Sequence, residues 1–194
     1  MSVSTAVAGE WPVVEDDVAL VEAAKVAPAA FADIYRKYAE RIFLYVRTRT
    51  GTEEDAVDVT QQVFVNAFRA LPRYKISSAP LSSWLFRIAR NAVVDHHRRR
   101  RPTSSLDAMP VVFQETAPDP EESAIRSEDA DRLRAALVRL DAEKRDLLAL
   151  RYAGGLRISE IAAATGTGEE ATKKRLSRAL SQLRSIYEAV DSQG

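Results

Sequence analysis

Apolar residues recur every three or four positions through most of this chain, and no stretch of any length keeps the two-residue alternation of a half-buried strand. That rhythm restricts the fold to packed helices. Pro28 opens a segment whose apolar residues fall at Phe31, Ile34, Tyr35, Tyr38, Ile42, Tyr45 and Val46, one face of a helix that ends near Thr50-Gly51. Thr52 is the expected N-cap of the next helix, with Glu53, Glu54 and Asp55 at the positive end of its dipole. Ala56, Val59, Val63, Phe64, Ala67, Phe68 and Leu71 then hold the period until Pro72. After the loop RYKISSA, Pro80 starts a third helix. Leu81, Trp84, Leu85, Ile88, Ala89, Ala92 and Val93 are expected inside it, and Arg87, Arg90, Asn91 and Arg98 outside.

The pattern then fails. From Arg101 to Ser127 the chain reads RPTSSLDAMPVVFQETAPDPEES and onward, with four prolines in the quoted stretch, and it reads as an inter-domain linker. Its apolar patch, Met109 to Phe113, is odd for a solvated tether and suggests docking on something, although a solvated or weakly docked linker is the simpler reading. Beyond it Leu133, Leu137 and Leu140 resume the helical rhythm. Asp141 is a cap before EKRDLLALRYAGG, Gly154-Gly155 stops that helix, and RISEIAAATG leads through a turn around Gly166 and Gly168 into a long final helix. The expected fold is all-α: two small helical domains joined by an extended acidic linker. The expected boundaries are a flexible N-terminus at 1–16, a first domain at 17–101, a linker at 102–127 and a second domain at 128–190.

The formal net charge of zero hides an asymmetry. Residues 1–101 hold 15 Lys and Arg against 12 Asp and Glu, residues 102–131 hold 1 against 8, and residues 132–194 hold 12 against 8. Two mildly basic blocks therefore flank an acidic strip, a distribution compatible with nucleic acid that the total conceals. The chain has no cysteine, which removes disulfides, thiolate metal sites and cysteine nucleophiles. No apolar run approaches a membrane span, and the start MSVSTAVAGEWPVVEDD lacks the features of a signal peptide, so a cytoplasmic protein without membrane insertion is expected.

Two constellations bear on function. Ile158 to Ser185 reads as helix, short glycine-bearing turn and longer basic helix, the pattern in which a second helix enters the major groove. Such pairs also occur in bundles that never touch DNA. Lys173, Lys174, Ser177 and Arg178, projecting away from the leucine stripe, favour DNA. The other constellation is VVDHHRRRR at 93–101. A metal site or an enzyme built on Asp95, His96 and His97 would need further ligands, and adjacent helical residues point about 100° apart. No metal and no cofactor is therefore expected. Four consecutive arginines make a poor helix cap and a good phosphate surface.

Three stretches together resemble the extracytoplasmic-function group of sigma-70 family transcription initiation factors, from about Asp17 to Tyr187. EEDAVDVTQQVFVNAFRAL is similar to the family's clamp-binding helix, SSWLFRIARNAVVDHHRRRR to its promoter-melting helix, and LLALRYAGGLRISEIAAATGTGEEATKKRLSRALSQLR to its C-terminal helix-turn-helix. The resemblance implies a non-catalytic protein that binds core RNA polymerase through its beta and beta-prime subunits and recognises promoter DNA. It also implies sequestration by an anti-sigma factor. Arg73, Tyr74, Lys75, Trp84, Arg87, Arg90, Asn91, Asp95, Arg98 and Arg99 would take the minus-10 element, with a base turned out near the loop from Arg73 to Ser78. Lys173, Lys174, Ser177 and Arg178 would read the minus-35 element. Asp55, Asp58, Gln61 and Gln62 would face the polymerase clamp, and the acidic tether would thread toward the active-site cleft. A stand-alone helix-turn-helix regulator is the alternative.

Several residues depart from the family's pattern. Val57 and Gln62 stand where Glu is usual, Arg157 where a Ser or Thr cap is usual, Thr167 where Ile is common and Thr172 where Val is common. Glu169 and Glu170 put negative charge at the start of the recognition helix, which suits the dipole and repels phosphates. An unusual minus-35 preference is therefore expected.

Overall fold

The computed structural model describes residues 17–76, 79–100 and 120–191, the side chains of 120–128 and of 190 and 191 excepted, and every element among them is helical. The expected flexible N-terminus and nearly all of the expected linker, with its Met109–Phe113 patch, lie outside the described residues. In the first body α1 (Asp17–Val26), α2 (Phe31–Arg47), α3 (Glu53–Ala70) and α4 (Leu81–Arg100) pack together. The second holds α5 (Pro120–Val138), α6 (Ala142–Leu148), α7 (Ile158–Thr165) and α8 (Glu169–Asp191).

Helix ends follow local chemistry. Thr52 Oγ1 accepts from the Asp55 amide at 3.1 Å and Asp141 Oδ1 from the Lys144 amide at 2.8 Å, so both expected caps form. Pro28 heads a short 3-10 turn rather than α2 itself, which begins at Phe31. α1 carries no strong sequence signal and is held tertiarily: the Tyr38 hydroxyl donates to Asp17 at 2.7 Å and Lys37 Nζ lies 2.9 Å from the same carboxylate. α5 begins at Pro120, inside the stretch expected to be linker. A proline in the first turn followed by Glu121 and Glu122 suits a helix start, even though the apolar period resumes only at Leu133. At the other end α6 runs into a single π turn, Ala149–Ala153, where the Gly154 amide donates to the Ala149 carbonyl at 2.9 Å.

The two bodies are not apart. Their buried apolar residues form one cluster from Val21 to Ala179, with α4 against α7 and α2 against the π turn. At the seam Asp146, 7 % exposed, is the shared acceptor: the Tyr45 hydroxyl donates to it at 2.6 Å, Arg90 Nε at 2.7 Å, and Arg49 Nε lies 3.9 Å away. Arg41 Nε donates to the Gly154 carbonyl at 2.9 Å, its guanidinium over the Phe86 ring, and Ser82 donates to Glu160. Burial pushes the Tyr45 phenol well above its ordinary value, and the Asp146 charge adds to that, so Tyr45 stays a neutral donor. Burial works against the charge on Arg90, but Asp146 more than offsets it and the net shift is upward.

Gly154 is required by this seam, because a Cβ there would come within 2.5 Å of Phe86 Cε1 and 2.9 Å of the Leu150 carbonyl oxygen. Replacing Asp146 with Ala is expected to leave the Tyr45 hydroxyl and the Arg90 guanidinium without their shared acceptor and Arg49 without its nearby charge, and to weaken the seam by about 3–5 kcal/mol. Gly154→Ala should separate the bodies sterically. Small-angle scattering on either variant should report a larger radius of gyration; an unchanged radius in both would mean that the seam does not hold the bodies together.

Candidate nucleic-acid interface

The start of α8 presents Lys173, Lys174, Ser177 and Arg178, all exposed, while Thr172, Leu176 and Ala179 on the opposite side are buried. The turn before it depends on Gly166, whose φ of 71° lies in the left-handed region. Three threonines complete it. The Thr165 and Thr167 hydroxyls lie 2.8 Å apart, those of Thr167 and Thr172 lie 2.7 Å apart, and Thr172 donates on to the Gly168 carbonyl at 3.0 Å. Thr172 is fully buried, so a hydroxyl there needs a partner, and the paired departures at 167 and 172 satisfy each other. Arg157, at the N-cap of α7, has its amide capped instead by Glu160 at 2.7 Å. Glu169 and Glu170 are exposed in the first turn of α8, beside the four cationic and hydroxyl-bearing positions.

On α4, Arg87, Asn91, Asp95, Arg98 and Arg99 are exposed at near four-residue spacing, a polar stripe along one side. Gln62, Asn66, Asp95, Arg98 and Arg99 line an open cavity of ≈ 570 Å³ between α3 and α4. Arg90, expected outward with Arg87, is instead half-buried and bound to Asp146. Its position on the helix faces the second body rather than solvent. Arg73 and Lys75 are exposed, but Tyr74 between them is 5 % exposed, stacks on Trp84 at 4.5 Å and donates to the Ala79 carbonyl at 2.6 Å. Burial, with Asp17 adding to it, pushes the Tyr74 phenol up to about 12. His96 and His97 serve packing between helices: His97 Nε2 lies 2.8 Å from the Arg49 carbonyl, and His96 lies 3.8 Å from Asp55.

The expected polymerase-facing residues of α3 divide. Asp58 and Gln61 are exposed, Gln62 is half-buried and donates to Asn66 at 2.8 Å, and Asp55 turns toward the end of α4, paired with Arg100. Beside Gln61 stand Tyr35, Val65 and Phe68, which like Val57 one turn earlier on α3 are each between 41 and 45 % exposed. Periodicity put Tyr35 and Phe68 on inner faces. They sit at the edge of the apolar arc, where a helix meets no neighbour, and with Phe31 and Phe64 they line a groove of ≈ 650 Å³. Charge reasoning missed this apolar face; the aromatic spacing of Tyr35 and Phe68 was its signal.

The geometry defines a two-body helical protein whose second body is a helix-turn-helix with a cationic recognition face. Comparison identifies the family. Residues 34–103 match the family model Sigma-70 region 2, and residues 130–183 match Sigma-70, region 4. The chain is 32% identical over 174 residues to the ECF RNA polymerase sigma factor SigD of Mycobacterium tuberculosis, covering 87% of this chain and 82% of that protein. It is 31% identical over 171 residues to BldN of Streptomyces coelicolor, also named an ECF RNA polymerase sigma factor, covering 84% of this chain but only 63% of that protein's length. Among solved structures, CnrH in complex with the cytosolic domain of CnrY superposes with a TM-score of 0.69 at 27% identity, covering 90% of this chain and 99% of that one. This chain belongs to the ECF RNA polymerase sigma factors.

Partial burial pushes the Asp55 carboxyl up, but the Thr52 hydroxyl and Arg100, with His96 beyond, pull it further down, so it lies below the usual carboxylate value. A carboxylate depressed in the folded state stabilises at neutral pH and loses that contribution as acid protonates it. Asp55→Asn is therefore expected to lower the melting temperature at pH 7, by the equivalent of no more than about 1 kcal/mol. The difference should shrink as pH falls through and below the usual carboxylate range, as thermal melts across pH would show.

Proposed function

We propose that this chain directs bacterial core RNA polymerase to promoters, gripping the enzyme through α3 and the DNA at two separated elements. The observation that carries the reading is the recognition helix of a sigma region 4, which exposes Lys173, Lys174, Ser177 and Arg178 at the end that enters a major groove. Lys173 and Lys174 are assigned to phosphates, and Ser177 and Arg178 to base edges of the minus-35 element. Glu169 or Glu170 accepts from a cytosine amino group and gives this chain its own minus-35 preference.

The minus-10 element is taken as single strand. The α4 stripe supplies Asn91 and Asp95 for bases and Arg87, Arg98 and Arg99 for phosphates, and the stacked Tyr74–Trp84 pair with Arg73 and Lys75 forms the wall where an unstacked base lodges. Arg90 joins these phosphate contacts only after Asp146 releases it, so the seam opens before promoter binding. Polymerase binds at Asp58, Gln61 and Gln62. The neighbouring apolar face of Tyr35, Val65 and Phe68 makes good what Val57 and Gln62 lack in charge.

The chain is non-catalytic and acts in the cytoplasm; no described helix is long and apolar enough to cross a membrane. Its regulator is a cytosolic anti-sigma segment, a reading supported by the likeness to CnrH, whose structure holds the cytosolic domain of CnrY.

Run-off transcription with core polymerase over a promoter library tests the whole reading. Transcription that starts only when this chain is added supports it, while tight promoter binding without polymerase would point to a stand-alone regulator. Within that assay Lys173→Ala should weaken binding uniformly across sequences and lower the salt slope by about 1, whereas Arg178→Ala should cost about 1–3 kcal/mol and relax one base position. Glu169→Ala with Glu170→Ala should change the selected minus-35 sequence; identical promoter selection would remove the acidic pair from recognition.

A further inference from the structure

The polar stripe of α4 contains one residue that its charge does not explain. Among the described residues of α4 that are exposed, Val94 alone is apolar; the others are Arg87, Asn91, Asp95 and the arginines at 98–100. Val94 is 54 % exposed. At about 100° per residue, Arg87, Asn91, Val94 and Arg98 fall within about 60° of one another, so Val94 stands inside the stripe rather than at its edge. Packing does not account for it. Its neighbour Val93, 1 % exposed, fills the core, and a β-branched side chain in an open helical position is a poorer helix former than Ala or Arg.

Asn91 by itself cannot choose between the pyrimidines. Its carboxamide offers both a donor and an acceptor, so after a flip it meets the 4-amino group of cytosine as well as it meets the O4 of thymine. What separates the two bases on that edge is the 5-methyl group, which thymine carries beside O4 and cytosine lacks. Positions three apart on a helix hold their Cβ atoms about 5–6 Å from each other, so the carboxamide at 91 and the two methyls at 94 can meet one base edge together. Arg87 and Arg98, roughly 16 Å apart along the axis, bracket the pair with positive charge for phosphates on either side. An adenine held by both ends of the Asn91 carboxamide would need no apolar neighbour.

We propose that Val94 contacts the 5-methyl group of one thymine in the minus-10 strand while Asn91 donates to its O4, so that Val94 selects thymine over cytosine at that position. This role rests on the assignment of the minus-10 element to α4 and adds a specificity-determining residue to it. Unlike Arg90, Val94 is open to solvent with the two bodies docked, so it makes its contact without being released from Asp146.

Uracil in place of thymine removes the methyl and leaves O4, which isolates the contact. Core polymerase with the full chain is given a promoter selected in the run-off assay, each thymine of its minus-10 element is changed to deoxyuridine in turn, and the rate of open-complex formation is measured. At one position the change is expected to slow the unaltered chain about three- to fivefold, the worth of one buried methyl group. Val94→Ala should open the thymine and deoxyuridine templates at equal rates there and match the unaltered chain's ratios elsewhere. Its melting temperature should not fall, since Ala is the better helix former at an exposed site. Equal slowing of both chains at every position, or no slowing of the unaltered chain at any, would overturn the role of Val94 even though transcription proceeds. Failure to transcribe any template would instead remove the promoter-directing reading, and this role with it.

Discussion

One buried carboxylate organises the contact between the halves of this molecule. Asp146 sits in α6 with little access to water, and an ionised group there is tolerable only if its hydrogen-bonding capacity is met. Its described partners are all from the first body: Tyr45 on α2, Arg90 on α4 and Arg49 in the turn after α2. The charge therefore commits the second body to one placement on the first. The rest of the seam is built around it, with Arg41 reaching the two glycine carbonyls after the π turn, Glu160 joining Ser82, and Phe86 filling the space that Gly154 leaves.

The same contacts set a conflict with function. Arg90 lies on the helix assigned to promoter melting, and Glu160 belongs to the first helix of the helix-turn-helix. A sigma factor must present its two DNA-reading surfaces to elements far apart on one duplex, so side chains that hold the bodies together are drawn from the bodies' own working elements. Polar, hydrogen-bonded contacts suit a seam of this kind, since water and phosphate can replace them once it parts.

Family departures read differently once their neighbours are known. Thr167 and Thr172 each look like losses of apolar packing, yet together with Thr165 they form a chain of hydroxyls ending on a backbone carbonyl. Val57 removes a charge from α3 one turn before Gln61, which lines an apolar groove with Tyr35, Val65 and Phe68. At the turn before α8, substitutions that seem isolated along the chain are adjacent in space.

Most helix positions, with α1 and the start of α5 as exceptions, the caps at Thr52 and Asp141, the glycine turn at Gly166 and the outward face of Lys173, Lys174 and Arg178 were legible in the order of residues. Each depends on interactions within a few positions of itself, where spacing and residue type decide the outcome. The all-α class followed from the same short-range patterns, and the family from the resemblance of three motif stretches in order. The engagement of Arg90 with Asp146 and of Asp55 with Arg100, the exposure of Phe68 and the docking of one body on the other were not legible. A charged residue on an amphipathic helix faces solvent by default, and only a neighbour brought from 56 positions away, as Asp146 is for Arg90, can turn it into a half-buried anchor. Periodicity describes which side of a helix is apolar; which part of that side is covered depends on how many helices arrive there, and that is settled by packing.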